Sequence, residues 1–231
     1  MLTRRAAVWA AVSGLAGTCL LIVSFSVNTG PPAGASGAQL TAFGRQHYDA
    51  ILWGAWLQAV GPVFIVLFAF TIVLLAGATA RLAGWMTLFG AATLMTVSLA
   101  EIVVYIGALH TSPATMAEIS YALIRSVQHL YFVVAAPALF LPLGLVILGS
   151  DVLPRILGYL AVVLAAGYAL AGVFTLLDLT VPVAVQISAS VQVLWWLAAA
   201  GTFIMRAREA PSSGVLPSGV AVAGQGKTWR S

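Results

Sequence analysis

Residues 118–142 read EISYALIRSVQHLYFVVAAPALFLP, a run long enough to cross a bilayer. Its first half carries a polar stripe and its second half is apolar. At about 100° per residue, with Tyr121 at zero, Gln128 falls near −20°, Arg125 near 40°, Glu118 near 60° and His129 near 80°. These side chains share one face roughly 100° wide. An arginine inside a membrane helix costs about 2.5–3.5 kcal/mol on insertion scales, so it calls for a partner.

The composition sets the class in which that partner is sought. Of 231 residues, 61% are hydrophobic and 7% charged, and the mean hydropathy is +1.05. A soluble domain has about 25% charged residues. The fold expected is therefore all-α, a polytopic transmembrane helical bundle in the lipid bilayer. The net charge of +4 is no nucleic-acid signal, because the basic residues stand singly at the ends of apolar runs. The single cysteine, Cys19, excludes an intrachain disulfide and CxxC chemistry. Thr18 before it is a poor fit to a lipoprotein cleavage site, so Cys19 is expected to be a small core residue.

Six runs are long enough to span, near 6–27, 51–77, 83–109, 117–148, 155–177 and 183–205. The first is too long for a signal-peptide core and reads as a retained helix. With both ends inside, the inner side holds Arg4, Arg5, Arg81, Arg155, Arg206, Arg208, Lys227 and Arg230, and the outer side only Arg45. That bias predicts an N-in/C-in topology. The arginine-rich, alanine- and glycine-rich composition suggests a GC-rich bacterial genome, and hence the bacterial plasma (inner) membrane.

Between the spans, loop 28–50 starts flexibly and ends in a short interfacial helix at FGRQHYDA. Thr115 and Glu118 fit a capping box opening the fourth span, after Pro113. The tail, 206–231, is rich in Ser, Gly and Pro and reads as a disordered cytoplasmic segment. Gly61-Pro62, Pro137 and Pro142 are expected to kink helices two and four. Small residues form close-approach faces at Ala6, Ala10, Gly14 and Thr18, and at Ala165, Ala166, Ala169 and Gly172. Trp53, Trp56, Trp195 and Trp196 belong at the membrane interface or against neighbouring helices.

Depth counting supplies the partner for Arg125. Glu101 lies nine residues before His110, roughly 13 Å deep, and Arg125 seven residues after Glu118, roughly 10 Å deep. The helices that carry them are antiparallel neighbours, so the two charges are expected to pair. Ser98, Tyr105, Tyr121, Gln128, His129 and Gln58 reach similar depths, as do Gln186, Gln192 and Asp178. The inner halves of helices four and five carry almost nothing polar except Tyr159. A continuous polar path is absent, which favours an outward-facing pocket over a channel. The alternative is that Glu101–Arg125 is only a structural pair.

No catalytic residues and no metal site are expected, because G-x-S-x-G, H-E-x-x-H and Walker patterns are missing. His129 has no second histidine at equal depth for haem, and the three histidines are spread too widely for zinc. The only lysine, Lys227, lies in the tail, so no retinal Schiff base forms within the membrane. No cofactor is expected.

AEIVVYIGAL at 100–109, ALIRSVQHLYF at 122–132, VLPRILGYL at 152–160 and VPVAVQ…VLWWL at 181–197 also carry a resemblance. Together they resemble the bacterial membrane proteins catalogued as domain of unknown function 4386, over nearly all of residues 5–205. That pattern has a basic residue three before the glutamate, where this chain has Ser98. The resemblance implies the same bundle and supplies no activity. The function expected is that of a small-molecule transporter or ligand sensor using the Glu101 cluster. An accessory or scaffold subunit is the alternative, and a membrane enzyme the weaker one.

Overall fold

The computed structural model describes residues 4–28, 30–32, 34–110, 114–177 and 182–209, with side chains omitted over 182–185. Asp178, Pro113 and the tail from 210 onward lie outside the described residues. The chain is an all-α bundle with six helices long and apolar enough to cross a membrane. Among the described residues these are α1 (Arg4–Val27), α3 (Tyr48–Leu75), α4 (Leu82–Leu109), the composite fourth span, α7 (Arg155–Leu176) and α8 (Pro182–Glu209). The fourth span is α5 (Ala114–Leu130), a π-helical turn (Tyr131–Ala135) and α6 (Ala136–Leu148). A short helix, α2 (Gly37–Gln46), precedes α3.

Each span packs on the next in chain order, and α8 returns to pack on α1, so the six form a closed ring. Small residues close the seams. A Cβ on Gly14 would come 3.0 Å from the Cβ of Ala200, and one on Gly17 would come 2.9 Å from the backbone nitrogen of Ile65. The predicted ridge on α1 is therefore used, with Gly17 and Ala11 joining Ala10, Gly14 and Thr18 in the buried set. On α7 the buried face is Gly158, Ala161, Ala165 and Gly172, while Ala166 turns outward. Cys19 also faces outward, contrary to the expected core position.

The end of the ring bearing both described termini is filled. Helix α6 has no polar side chain, so it can be buried on several faces at once. It leans inward and reaches α3 across the ring. Phe68, Phe140, Trp195, Trp196 and Phe203 meet there, with centroids 4.7–5.9 Å apart and mostly tilted or edge-on. That geometry suits ring quadrupoles. Trp195 and Trp196 belong to this core, whereas Trp53 and Trp56 are exposed on α3 near α2.

At the same end Gly77, at φ +61°, closes α3 in a left-handed C-terminal turn, with Ala78 N–H bonded to Val73 O at 3.0 Å. Two of the arginines counted in the expected positive-inside bias stitch the neighbouring loops. Arg81 donates to Gly149 O at 2.9 Å and Arg206 to Val152 O at 2.5 Å.

The opposite end carries α2. It begins at Gly37 rather than near Phe43, because Ser36 and Gln39 form a reciprocal capping box. Thr115 lies inside α5 as its second residue, not before it as an N-cap. Glu118 Oε1 instead accepts the Gly37 N–H at 2.7 Å, tying α2 to α5. A carboxylate at a helix N-terminus is stabilised by the free N–H groups and the helix dipole there.

Pro137 acts differently from a simple kink. It has no N–H for the Val133 carbonyl, and its ring crowds that turn. The helix widens to π geometry just before it, with Ala136 N–H bonded to Tyr131 O. A π turn inserts the equivalent of one extra residue, so α5 is rotated relative to α6.

Candidate functional site

Glu101, on α4, lies between two glutamines. Gln58 on α3 donates its Nε2 to Oε2 at 2.6 Å, and Gln128 on α5 donates its Nε2 to Oε1 at 2.8 Å. Ser98, one turn away on α4, donates to the Gln58 carbonyl at 3.1 Å and so ties α4 to α3 at that level. The structure thus brings together four of the residues singled out in the sequence, from three helices.

Arg125 is not the partner of Glu101. No ion pair joins them, and the Arg125 side chain is exposed on the outside of the bundle. The reason is angular. The buried residues of α5 are Ala117 and Ile124, near −40° and −60° on the scale used above, with Gln128 beside them near −20°. Arg125 at about 40° lies some 80–100° from that face. The polar stripe therefore splits lengthwise. Its Gln128 edge turns inward, and its Arg125 edge turns out, where a long side chain can reach the membrane interface.

Of the remaining predicted residues, Tyr105 meets the Glu101 cluster through a side-chain hydrogen bond with Gln128 and lies near Glu101 and Tyr121. Tyr105 and Tyr121 line a separate crevice of about 80 Å³ beneath α2, together with Arg45. His129 is half-buried, with Nδ1 3.1 Å from the Arg125 carbonyl of its own helix. Gln186 is exposed.

A second polar cluster was only partly anticipated. Tyr131, on the π turn, and Tyr168, on α7, both donate to Gln192 Oε1 on α8, each at 2.6 Å. Tyr131 and Tyr168 meet edge to face at 5.5 Å, and Phe132 stacks on Tyr168 at 6.0 Å. Gln192 was visible in the sequence as a polar residue at the right depth. The tyrosines were hidden because an isolated tyrosine in an apolar run reads as packing, and because the π turn sets the direction of Tyr131.

Both clusters face one cavity of about 370 Å³. Glu101, Gln58, Gln128 and Ser98 occupy one part of its wall, and Tyr131, Tyr168 and Gln192 another. The rest is almost wholly apolar, including Leu21, Ile65, Leu94, Val97 and Val193, and Thr18 spends its hydroxyl on the Gly14 carbonyl at 2.7 Å. Trp196, 2% exposed, closes the side toward the aromatic layer. Ile22 and Phe25 on α1 and Ala189 on α8 form an exposed edge of the cavity. The volume lies in the range of small-molecule sites, which are mostly apolar with a few placed polar groups.

Among the described residues no three His, Cys, Asp or Glu side chains converge to hold a metal ion. The serine nearest in sequence to Glu101, Ser98, spends its hydroxyl proton on the Gln58 carbonyl. The arrangement can present a carboxylate, amides and phenolic groups to a molecule inside the ring. No family model, curated protein or solved structure matches the chain.

Proposed function

We propose that this is a bacterial inner-membrane protein, N-in/C-in and related to domain of unknown function 4386, that binds a small molecule as a transporter or ligand sensor. The observation that carries this reading is the cavity of about 370 Å³ with Glu101, Gln58 and Gln128 fixed in its wall. Polar side chains in a membrane helix are costly, and spending several of them on an open chamber favours binding over packing. With N-in/C-in topology the chamber faces the outer half of the membrane. The aromatic layer beneath it argues against an open pore and for a binding step followed, in a transporter, by rearrangement.

A thermal-shift screen of a small-molecule library on the purified protein in detergent tests this. Hits are expected with the wild type and should be lost with Ala189→Trp, which fills the cavity edge. The reading is wrong if no compound stabilises the wild type, or if the hits bind Ala189→Trp unchanged.

One observation favours a second reading, that of an accessory subunit. Arg125 is exposed at membrane depth, and no ion pair or side-chain hydrogen bond of its guanidinium is found among the described residues. A partner helix carrying a carboxylate would satisfy it. Co-purification of a partner with the wild type but not with Arg125→Leu would support that role.

A further inference from the structure

We propose that the cavity takes a small lipophilic ammonium ion, a protonated amine on a compact apolar body, with Glu101 as its counter-ion. This rests on the binding reading above and names the ligand class for the same site.

The argument starts from charge. The lining includes one carboxylate and no lysine, arginine or histidine. The cation that depth counting had assigned to Glu101 is turned to the outside of the bundle. The two groups that do reach Glu101 are neutral amides, one on each oxygen. An ionised carboxylate accepts about four hydrogen bonds, so two amides orient it and leave acceptor sites free. Burial of a carboxylate without a counter-charge is costly, and a bound ammonium relieves that cost.

The other walls fit the rest of such a molecule. Phe25, Tyr131, Phe132 and Trp196 line the cavity, and aromatic faces attract ammonium groups. The exposed edge at Ile22, Phe25 and Ala189 is apolar and lies on membrane-spanning helices. A molecule reaching it comes from the hydrocarbon region, which selects a lipophilic body. An anion of the same shape would meet Glu101 with like charge and is excluded.

The test uses three molecules with one cage and different head groups: aminoadamantane, adamantanol and adamantanecarboxylate. Each is titrated at neutral pH against the purified wild type, with thermal shift and equilibrium dialysis as readouts. The amine is expected to bind best, the alcohol weakly and the carboxylate not at all. Glu101→Gln should weaken the amine at least about tenfold while leaving the alcohol unchanged, as loss of a charge-assisted bond requires. Glu101→Asp should keep the amine ahead of the alcohol. Equal binding of amine and alcohol by the wild type overturns the proposal, and that comparison needs no variant to fold. Unchanged amine binding by a folded Glu101→Gln overturns it too. If all three cages fail while library hits compete at the cavity, the cation class falls and the binding reading stands. If the library also fails, both fall.

Discussion

Removing the Glu101 carboxylate strands the Gln58 and Gln128 amides that point at it. Glu101→Leu should therefore lower stability by about 1–3 kcal/mol, the cost of unsatisfied buried polar groups. Arg125→Leu should not lower stability, because the guanidinium has no partner among the described residues to lose and an arginine exposed at membrane depth is itself costly. The two changes should add to within about 0.5 kcal/mol, because the side chains share no contact. Chemical denaturation of the single and double variants in detergent measures this, and a clear recovery in the double variant would restore a direct pair. Depth was legible in the sequence, and it placed Glu101 and Arg125 on one level. Azimuth was not, since a polar stripe does not by itself say which of its edges faces the bundle. Ala117 and Ile124, seven residues apart and in line with Gln128, were the signal that sets the true face.

Individual helices are constrained where backbones touch. A Cβ on Gly90 of α4 would lie 2.1 Å from the Ala138 carbonyl oxygen on α6, whereas one on Gly201 of α8 meets nothing within 4 Å. Gly90→Ala should cost about 1–3 kcal/mol by overpacking. Gly201→Ala should be neutral or stabilise by a few tenths up to about 1 kcal/mol through helix propensity. Melting temperatures of the pair check the contrast. The π turn makes a sharper demand. Deleting Val134 removes that extra residue, so the turn returns to α geometry with α5 still in its orientation on α6, and Gln128 should stay beside Glu101. Inserting one alanine after Leu130 instead rotates α5 by about 100° against α6, and the ligand response found for the wild type should vanish. The spans were legible because each is a long apolar run between breaks. Pro137 announced an irregularity, but a kink and a π turn look alike in sequence.

The ring as a whole depends on the contact between its first and last helices. A chain lacking residues 1–27 loses the α1 face that packs on α3 and α8, together with the cavity wall at Thr18, Leu21, Ile22 and Phe25. It should give no cooperative melt and should elute as a broad, aggregated species in size-exclusion chromatography. Adjacency of consecutive spans was readable from the short connections between them. The return of α8 to α1 was not, because nothing in either sequence names the other. Small residues at Gly14 and Ala200 permit the approach, and only the closed ring selects it.

Ring order also bears on biosynthesis. A helix leaving the ribosome finds its immediate predecessor already in the membrane, and up to α7 the extensive pairings join spans consecutive in sequence, with α6 also touching α3. The docking of α8 on α1 joins the spans farthest apart in the chain, and such contacts form late because loop closure must precede them. Until then the chamber is a groove open along one side, with Glu101 facing lipid. The cavity is complete only with the last helix, so a stalled or truncated nascent chain carries every residue of the Glu101 cluster and no closed chamber.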